Sequence, residues 1–159
     1  FFGTFMPELQ ERNMKIQLIG FIDELPESTK QVVLKAVEDT KNNTGMVLTF
    51  ALNYGSRAEI IEATKALANE VQSGEISVED INDEAFAQKL QTSFLGELQD
   101  PDLMIRTSGE VRLSNFLLWQ LAYSEYYFTD IFWPDFSEED LHKAILTYQG
   151  RHRRYGGLA

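Results

Sequence analysis

The chain contains no cysteine, which excludes disulfides, thiolate catalysis and every cysteine-based zinc site. Histidine is nearly as scarce: only His142 and His152 occur, and both are expected to face solvent on the last helix and the tail, so a zinc centre is not expected. Apolar runs are short, none approaching the roughly 18 residues of a membrane span. No charged-then-apolar leader ending in small residues is present, so the expected setting is cytoplasmic. Cations are outnumbered, with 14 Lys and Arg against 25 Asp and Glu and a net charge of −11. A clustered excess of cations is what nucleic acid requires, so no nucleic-acid partner is expected, and any anionic ligand must be held locally. The Gly-rich dinucleotide fingerprint, the Walker A loop, HExxH and the nucleophile elbow are all missing.

What is present is enough for a real core: 159 residues, 43% of them hydrophobic, with no repeat, low-complexity tract or linker. A single domain over residues 1–159 is the economical expectation. The pattern alternates strand and helix. Residues 14–20 read as a buried strand, 26–42 as a helix with Pro26 in its first turn, and 46–53 as the next strand. Ser56 and Glu59 suggest a capping box opening a helix to about Ser73, stopped by Gly74. A helix over 83–94, a short strand over 102–107, a helix from Ser114 to Tyr123 and an aromatic strand over 126–132 follow. Trp133-Pro134-Asp135 reads as a turn, and Ser137 with Asp140 starts the last helix. Such alternation implies an α/β fold, a mainly parallel sheet with helices on both faces. Ligands of such sheets sit at the carboxyl ends of the strands, here the loops 53–57 and 106–114.

The second of these loops draws attention. Arg106 leaves a strand end, Gly109 lets the chain turn, Arg112 stands six residues after Arg106, and Ser114 is expected to open a helix. Guanidinium forks and a helix N-terminus together would cradle a diphosphate. Surface arginines paired with Glu110 and Asp102 would give the same spacing, and the two readings stand side by side. Glu125 is either a hard oxygen ligand for magnesium or an ordinary acid at a strand edge. The 11 phenylalanines either fill a core or line a tunnel for a hydrocarbon chain. Met46, at the amino end of its strand, is likewise either core filling or the floor of such a tunnel.

Taken together, DPDLMIRTSGEVRLSNFLLWQLAYSEYYFTDIFWPDF over residues 100–136 resembles the signature block of the cis-prenyltransferases of undecaprenyl diphosphate synthase type. Asn53-Tyr54-Gly55-Ser56-Arg57 with Glu59 resembles the family's NYGGR-type motif, and Arg153-Arg154-Tyr155-Gly156-Gly157 its RRFGG ending. The resemblance implies a parallel sheet ringed by helices, a homodimer, and a Mg2+-dependent condensation of isopentenyl diphosphate with an allylic, farnesyl-type diphosphate. The product would be a long cis-polyprenyl diphosphate delivered to the membrane as the carrier lipid of bacterial wall synthesis. It further implies that Arg106, Arg112 and Ser114 bind isopentenyl diphosphate, that Glu125 is a magnesium ligand, and that Glu59, Asp130 and Asp135 support substrate binding. A non-catalytic partner subunit of a heteromeric cis-prenyltransferase is the alternative, although such subunits lose substrate-binding residues that are retained here.

The departures are an Asp-Gly-Asn-Gly-Arg-Trp motif, which carries the family's essential aspartate, and a Ser-x-x-Asn-Trp-x-Arg-Pro motif. Neither occurs in this sequence. Phe21 also stands where many members have Asp. The chain is therefore expected to be part of something longer, with no catalytic residue of its own. The 159-residue polypeptide alone is expected to turn over no substrate; magnesium-dependent incorporation of isopentenyl diphosphate by it would overturn that expectation.

Overall fold

The computed structural model describes residues 2–151; the Arg153, Arg154 and Tyr155 motif lies outside them. The chain divides into two compact units, residues 1–62 and 63–159.

In the first unit, α1 (Phe2–Glu11) precedes β1 (Lys15–Ile19), α2 (Glu27–Thr40) and β2 (Val47–Ala51), and α3 (Ser56–Ser73) begins. β1 and β2 pair in parallel with Lys15 opposite Val47 and Ile19 opposite Ala51. Leu9, Ile16 and Ala36 form the buried centre, and Met6, Met14, Val37, Leu48 and Phe50 pack against it. Full burial of a side chain such as Ile16 contributes about 1.5–3 kcal/mol. The buried Thr40 hydroxyl links helix to strand, accepting from the Ile16 N–H at 3.0 Å and donating to the Ala36 carbonyl at 2.9 Å. α2 starts after Pro26, with Glu27 in its first turn near the positive end of the helix dipole. Met46 is 63% exposed, so it does not fill the core.

At the carboxyl ends of β1 and β2 the backbones converge. Gly20 has φ +117, and a Cβ there would lie 1.8 Å from the Leu52 carbonyl oxygen, so only glycine fits. The approach lets Leu52 N–H reach Ile19 O at 2.9 Å and Phe21 N–H reach Asn53 O at 3.2 Å.

The second unit contains the end of α3, then α4 (Asp83–Ala87), β3 (Leu103–Arg106), β4 (Glu125–Phe128) and α5 (Glu138–Gln149). β3 and β4 are parallel, with Leu103 opposite Glu125 and Arg106 opposite Phe128. α5 packs on both strands. The parallel strands flanked by helices agree with the α/β expectation. In two places the chain departs from the periodicity. The helix expected over 83–94 stops at Ala87 and gives way to i→i+3 bonds at Lys89 and Leu90, followed by 3₁₀ turns within Ser93–Leu98 that a kink at Gly96, φ +57, interrupts. No regular helix forms over 114–123, because Ser114, Asn115 and Leu117 adopt φ of +51, +64 and +44, and left-handed residues cannot continue a right-handed ladder. Isolated turn bonds replace it, Phe116 N–H to Leu113 O and Leu121 N–H to Leu117 O, while Leu117 and Leu121 are buried.

The start of α5 matches the sequence reading. Asp140 N–H donates to the Ser137 hydroxyl oxygen at 3.3 Å, and the Asp140 carboxylate accepts from the Ser137 N–H at 3.0 Å. The Ser137 hydroxyl and N–H, followed by Lys143, hold the Asp140 carboxyl below its ordinary range. Ser137→Ala is expected to cost about 1 kcal/mol. Because the folded-state pKa is depressed, Asp140 stabilises the fold above its unfolded pKa and stops doing so as pH falls through the lower folded value. Urea midpoints measured against pH should show less acid sensitivity in Asp140→Asn than in the parent; equal sensitivity would refute the cap.

Candidate functional site

The site grows from the end of β3 in the second unit. Past Arg106 and Phe128 the two strands stay tied by main-chain bonds: Thr129 N–H to Arg106 O at 3.0 Å, Gly109 N–H to Thr129 O at 2.9 Å and Ser108 N–H to Ile131 O at 2.8 Å. Between these ties the chain reverses through Ser108 and Gly109, both at φ +69. The reversal returns residues 112–114 to Arg106. Arg106 Nη1 donates to the Arg112 carbonyl oxygen and, at 3.1 Å, to the Ser114 hydroxyl. Arg112 Nη1 pairs with the Glu110 carboxylate.

A cavity of about 300 Å³ opens here, lined by Met104, Ile105, Arg106, Arg112, Leu113, Ser114 and Phe116. It combines two guanidinium groups and a hydroxyl with apolar walls, a chemistry suited to a phosphate-bearing head on an apolar body. The structure therefore brings Arg106, Arg112 and Ser114 together as their spacing suggests. It also forms the Arg112–Glu110 pair of the surface-arginine reading. The helix N-terminus expected at Ser114 is absent, so anion affinity here rests on guanidinium groups and not on a helix dipole.

A larger cavity of about 440 Å³ is lined by Asp83, Glu84, Asp100, Gln99, Trp119 and Tyr123 among others. Burial pushes the Asp100 carboxyl up from its ordinary range. None of the described residues lining this cavity carries a positive charge, and its three carboxylates disfavour a diphosphate.

The remaining candidates are distributed differently. Asp130 is exposed beside the loop, its Oδ1 3.1 Å from where a Gly109 Cβ would lie. Asp135 is exposed in the 3₁₀ turn Trp133–Asp135 and does not line the arginine cavity. Glu59 belongs to the first unit, where it is 1% exposed and accepts a hydrogen bond from the Tyr54 hydroxyl. Beside it, Asn53 at φ +48 donates from Nδ2 to Phe21 O at 3.2 Å and to the Glu24 carboxylate at 2.8 Å.

Glu125 opens β4 opposite Leu103, while Arg106 closes β3. The two lie three residues apart along the ladder, about 10 Å, and alternation puts them on opposite faces. Glu125 Oε2 accepts from Arg151 Nη1 at 2.6 Å, just beyond α5. A single carboxylate suits magnesium, which takes one or two with phosphate oxygens and water. In this structure Arg151 engages that carboxylate, and among the described residues no three of His, Cys, Asp and Glu gather as a metal centre. Sequence reasoning did not anticipate the Arg151 partner or the seat of Asp130 on Gly109, because both join residues distant in sequence through tertiary packing.

A family model described as "Putative undecaprenyl diphosphate synthase" matches residues 1–156. The ditrans,polycis-undecaprenyl-diphosphate synthase ((2E,6E)-farnesyl-diphosphate specific) of Micrococcus luteus is 56% identical over 158 residues, covering 99% of this chain and 62% of that protein. An isoprenyl transferase of Halalkalibacterium halodurans is 54% identical over 153 residues, 96% of this chain and 59% of that protein. The chain thus spans about three fifths of the length of these curated relatives. Among solved structures, lavandulyl diphosphate synthase from Lavandula x intermedia in complex with dimethylallyl diphosphate superposes with a TM-score of 0.91 at 37% identity, covering 98% of this chain and 68% of that one. A probable undecaprenyl diphosphate synthase from Campylobacter jejuni gives 0.81 at 29% identity, covering 97% and 68%.

Gly109→Ala tests whether the loop reversal shapes the cavity. The left-handed φ costs a non-glycine residue about 1–2 kcal/mol, and the new Cβ would crowd Asp130 Oδ1 at 3.1 Å. Both the denaturant midpoint and the affinity for inorganic pyrophosphate are expected to fall; a variant that loses neither would show that the reversal does not depend on glycine.

Proposed function

The chain belongs to the undecaprenyl diphosphate synthase family, and from that premise we propose that it serves a cis-prenyltransferase condensing isopentenyl diphosphate with an allylic, farnesyl-type diphosphate. The product in this reading is a long-chain cis-polyprenyl diphosphate. The observation that carries it is the cavity where Arg106, Arg112 and Ser114 meet. Support also comes from the relatives: the Micrococcus luteus protein is described as specific for farnesyl diphosphate, and the lavender enzyme was solved with dimethylallyl diphosphate.

Arg106 and Arg112 hold the diphosphate of isopentenyl diphosphate by charge-assisted, bidentate bonds, and Ser114 adds a hydroxyl. Fixing this substrate makes the encounter of two reactants effectively intramolecular. The allylic C–O bond breaks and its diphosphate leaves with the electron pair. The isopentenyl double bond supplies the electrons of the new C–C bond, and loss of a proton restores a double bond. Family membership implies a divalent metal, which supplies charge neutralisation of the departing diphosphate when bound. Our finer reading is magnesium with Glu125 as one ligand, which requires Glu125 to exchange Arg151 for the cation. In this reading Glu59, Asp130 and Asp135 are acidic positions that support substrate binding.

The reading extends to a homodimer working in the cytoplasm and handing its product to the membrane. No helix among the described residues is long and apolar enough to cross a membrane.

In the full-length enzyme, Arg112→Ala is expected to raise the KM for isopentenyl diphosphate at least about tenfold, the loss of one charged hydrogen-bonding partner, with little change in the KM for the allylic substrate. Steady-state kinetics with each substrate varied in turn decides it; equal effects on both KM values would count against the assignment.

A further inference from the structure

The two arginines of the cavity are not electrostatically equivalent. Arg106 donates to two neutral oxygens, the Arg112 carbonyl and the Ser114 hydroxyl, so among the described residues these contacts hold it in place without offsetting its positive charge. Arg112 donates to a carboxylate, that of Glu110, so its charge is cancelled by its own loop. Glu110 and Arg112 are two residues apart, on either side of Val111, and their side chains are 39% and 65% exposed. The pair can therefore open without repacking a core. A planar carboxylate and a tetrahedral phosphate can each present two oxygens to the guanidinium fork, and so compete for one guanidinium face.

We infer that Glu110 is an internal competitor for Arg112: its carboxylate occupies the guanidinium before ligand arrives, and the incoming diphosphate must displace it. This deepens the proposed function and rests on its assignment of Arg106, Arg112 and Ser114 to a diphosphate. Arg106 is the fixed first point of attachment, and Arg112 engages second, on exchange of one anion for another. Glu110 sets the affinity of the site below what two free arginines would give. Such a setting favours release.

The test is calorimetric titration of the 159-residue chain with inorganic pyrophosphate, for the parent, Glu110→Gln, Arg112→Ala and the double variant. Glu110→Gln is expected to bind pyrophosphate about threefold more tightly, the scale of a partly exposed ion pair. The gain is expected to vanish in the Arg112→Ala background, because there is no guanidinium left to release. Glu110→Ala should repeat the gain, so one misfolded variant does not leave the question open, and circular dichroism verifies each fold. If Arg112→Ala weakens binding but neither Glu110 variant tightens it, or if the gain persists without Arg112, the competition is overturned while the site stands. If the parent binds no pyrophosphate, or Arg112→Ala leaves binding unchanged, the site assignment fails and the competition falls with it.

Discussion

The pocket of the second unit depends on one guanidinium. Arg106 closes β3 and reaches across to the carbonyl of Arg112 and the hydroxyl of Ser114, so a strand end and the far side of a loop are held together by one side chain. That contact requires the reversal at Ser108 and Gly109, which in turn requires the main-chain bonds to Thr129 and Ile131. The parallel pairing of β3 with β4 thus does more than build a sheet: its continuation beyond the last paired residues sets where Arg112 and Ser114 come to lie. Arg112 is consequently a partner of Arg106 through its backbone and a charge in the same cavity through its side chain.

The acid surplus of the chain gives this arrangement its electrostatic character. With a net charge of −11, a free cation is more often neutralised than not, and both Arg112 and Arg151 are met by carboxylates, Glu110 and Glu125. Arg106 differs because its acceptors are uncharged. In a strongly acidic protein an anion site is therefore made less by accumulating arginines than by keeping one of them away from carboxylates. The larger cavity illustrates the contrary case: Asp83, Glu84 and Asp100 line it with no cation among them, and burial raises the Asp100 carboxyl.

Several local signals in the sequence translated directly into structure. Ser137 and Asp140 are three residues apart and cap α5 as read; Pro26 precedes α2, and Gly74 follows the last residue of α3. The strands 14–20, 46–53 and 102–107 appear with trimmed ends. The segment 114–123 failed because its helical spacing of Leu117 and Leu121 is real, yet both are buried through turns whose left-handed residues no propensity scale favours. Met46 reads as apolar and lies exposed at the amino end of β2, since hydrophobicity alone does not say which end of a strand is covered.

The sequence by itself determined the order of the four strands, the helices α2, α3 and α5 between and after them, the parallel α/β class and the identity of the arginine loop, because periodicity, caps and a long motif are properties of neighbouring residues. It also carried the family resemblance through residues 100–136, where residue types and spacing suffice. Only the tertiary structure decided which charge meets which. Register places Glu125 opposite Leu103 and away from Arg106, α5 brings Arg151 to Glu125, and the loop reversal turns Arg112 toward Glu110. An ion pair depends on distance and direction to a few tenths of an ångström, and those are set by how the strands pair and how the helix packs, not by spacing along the chain.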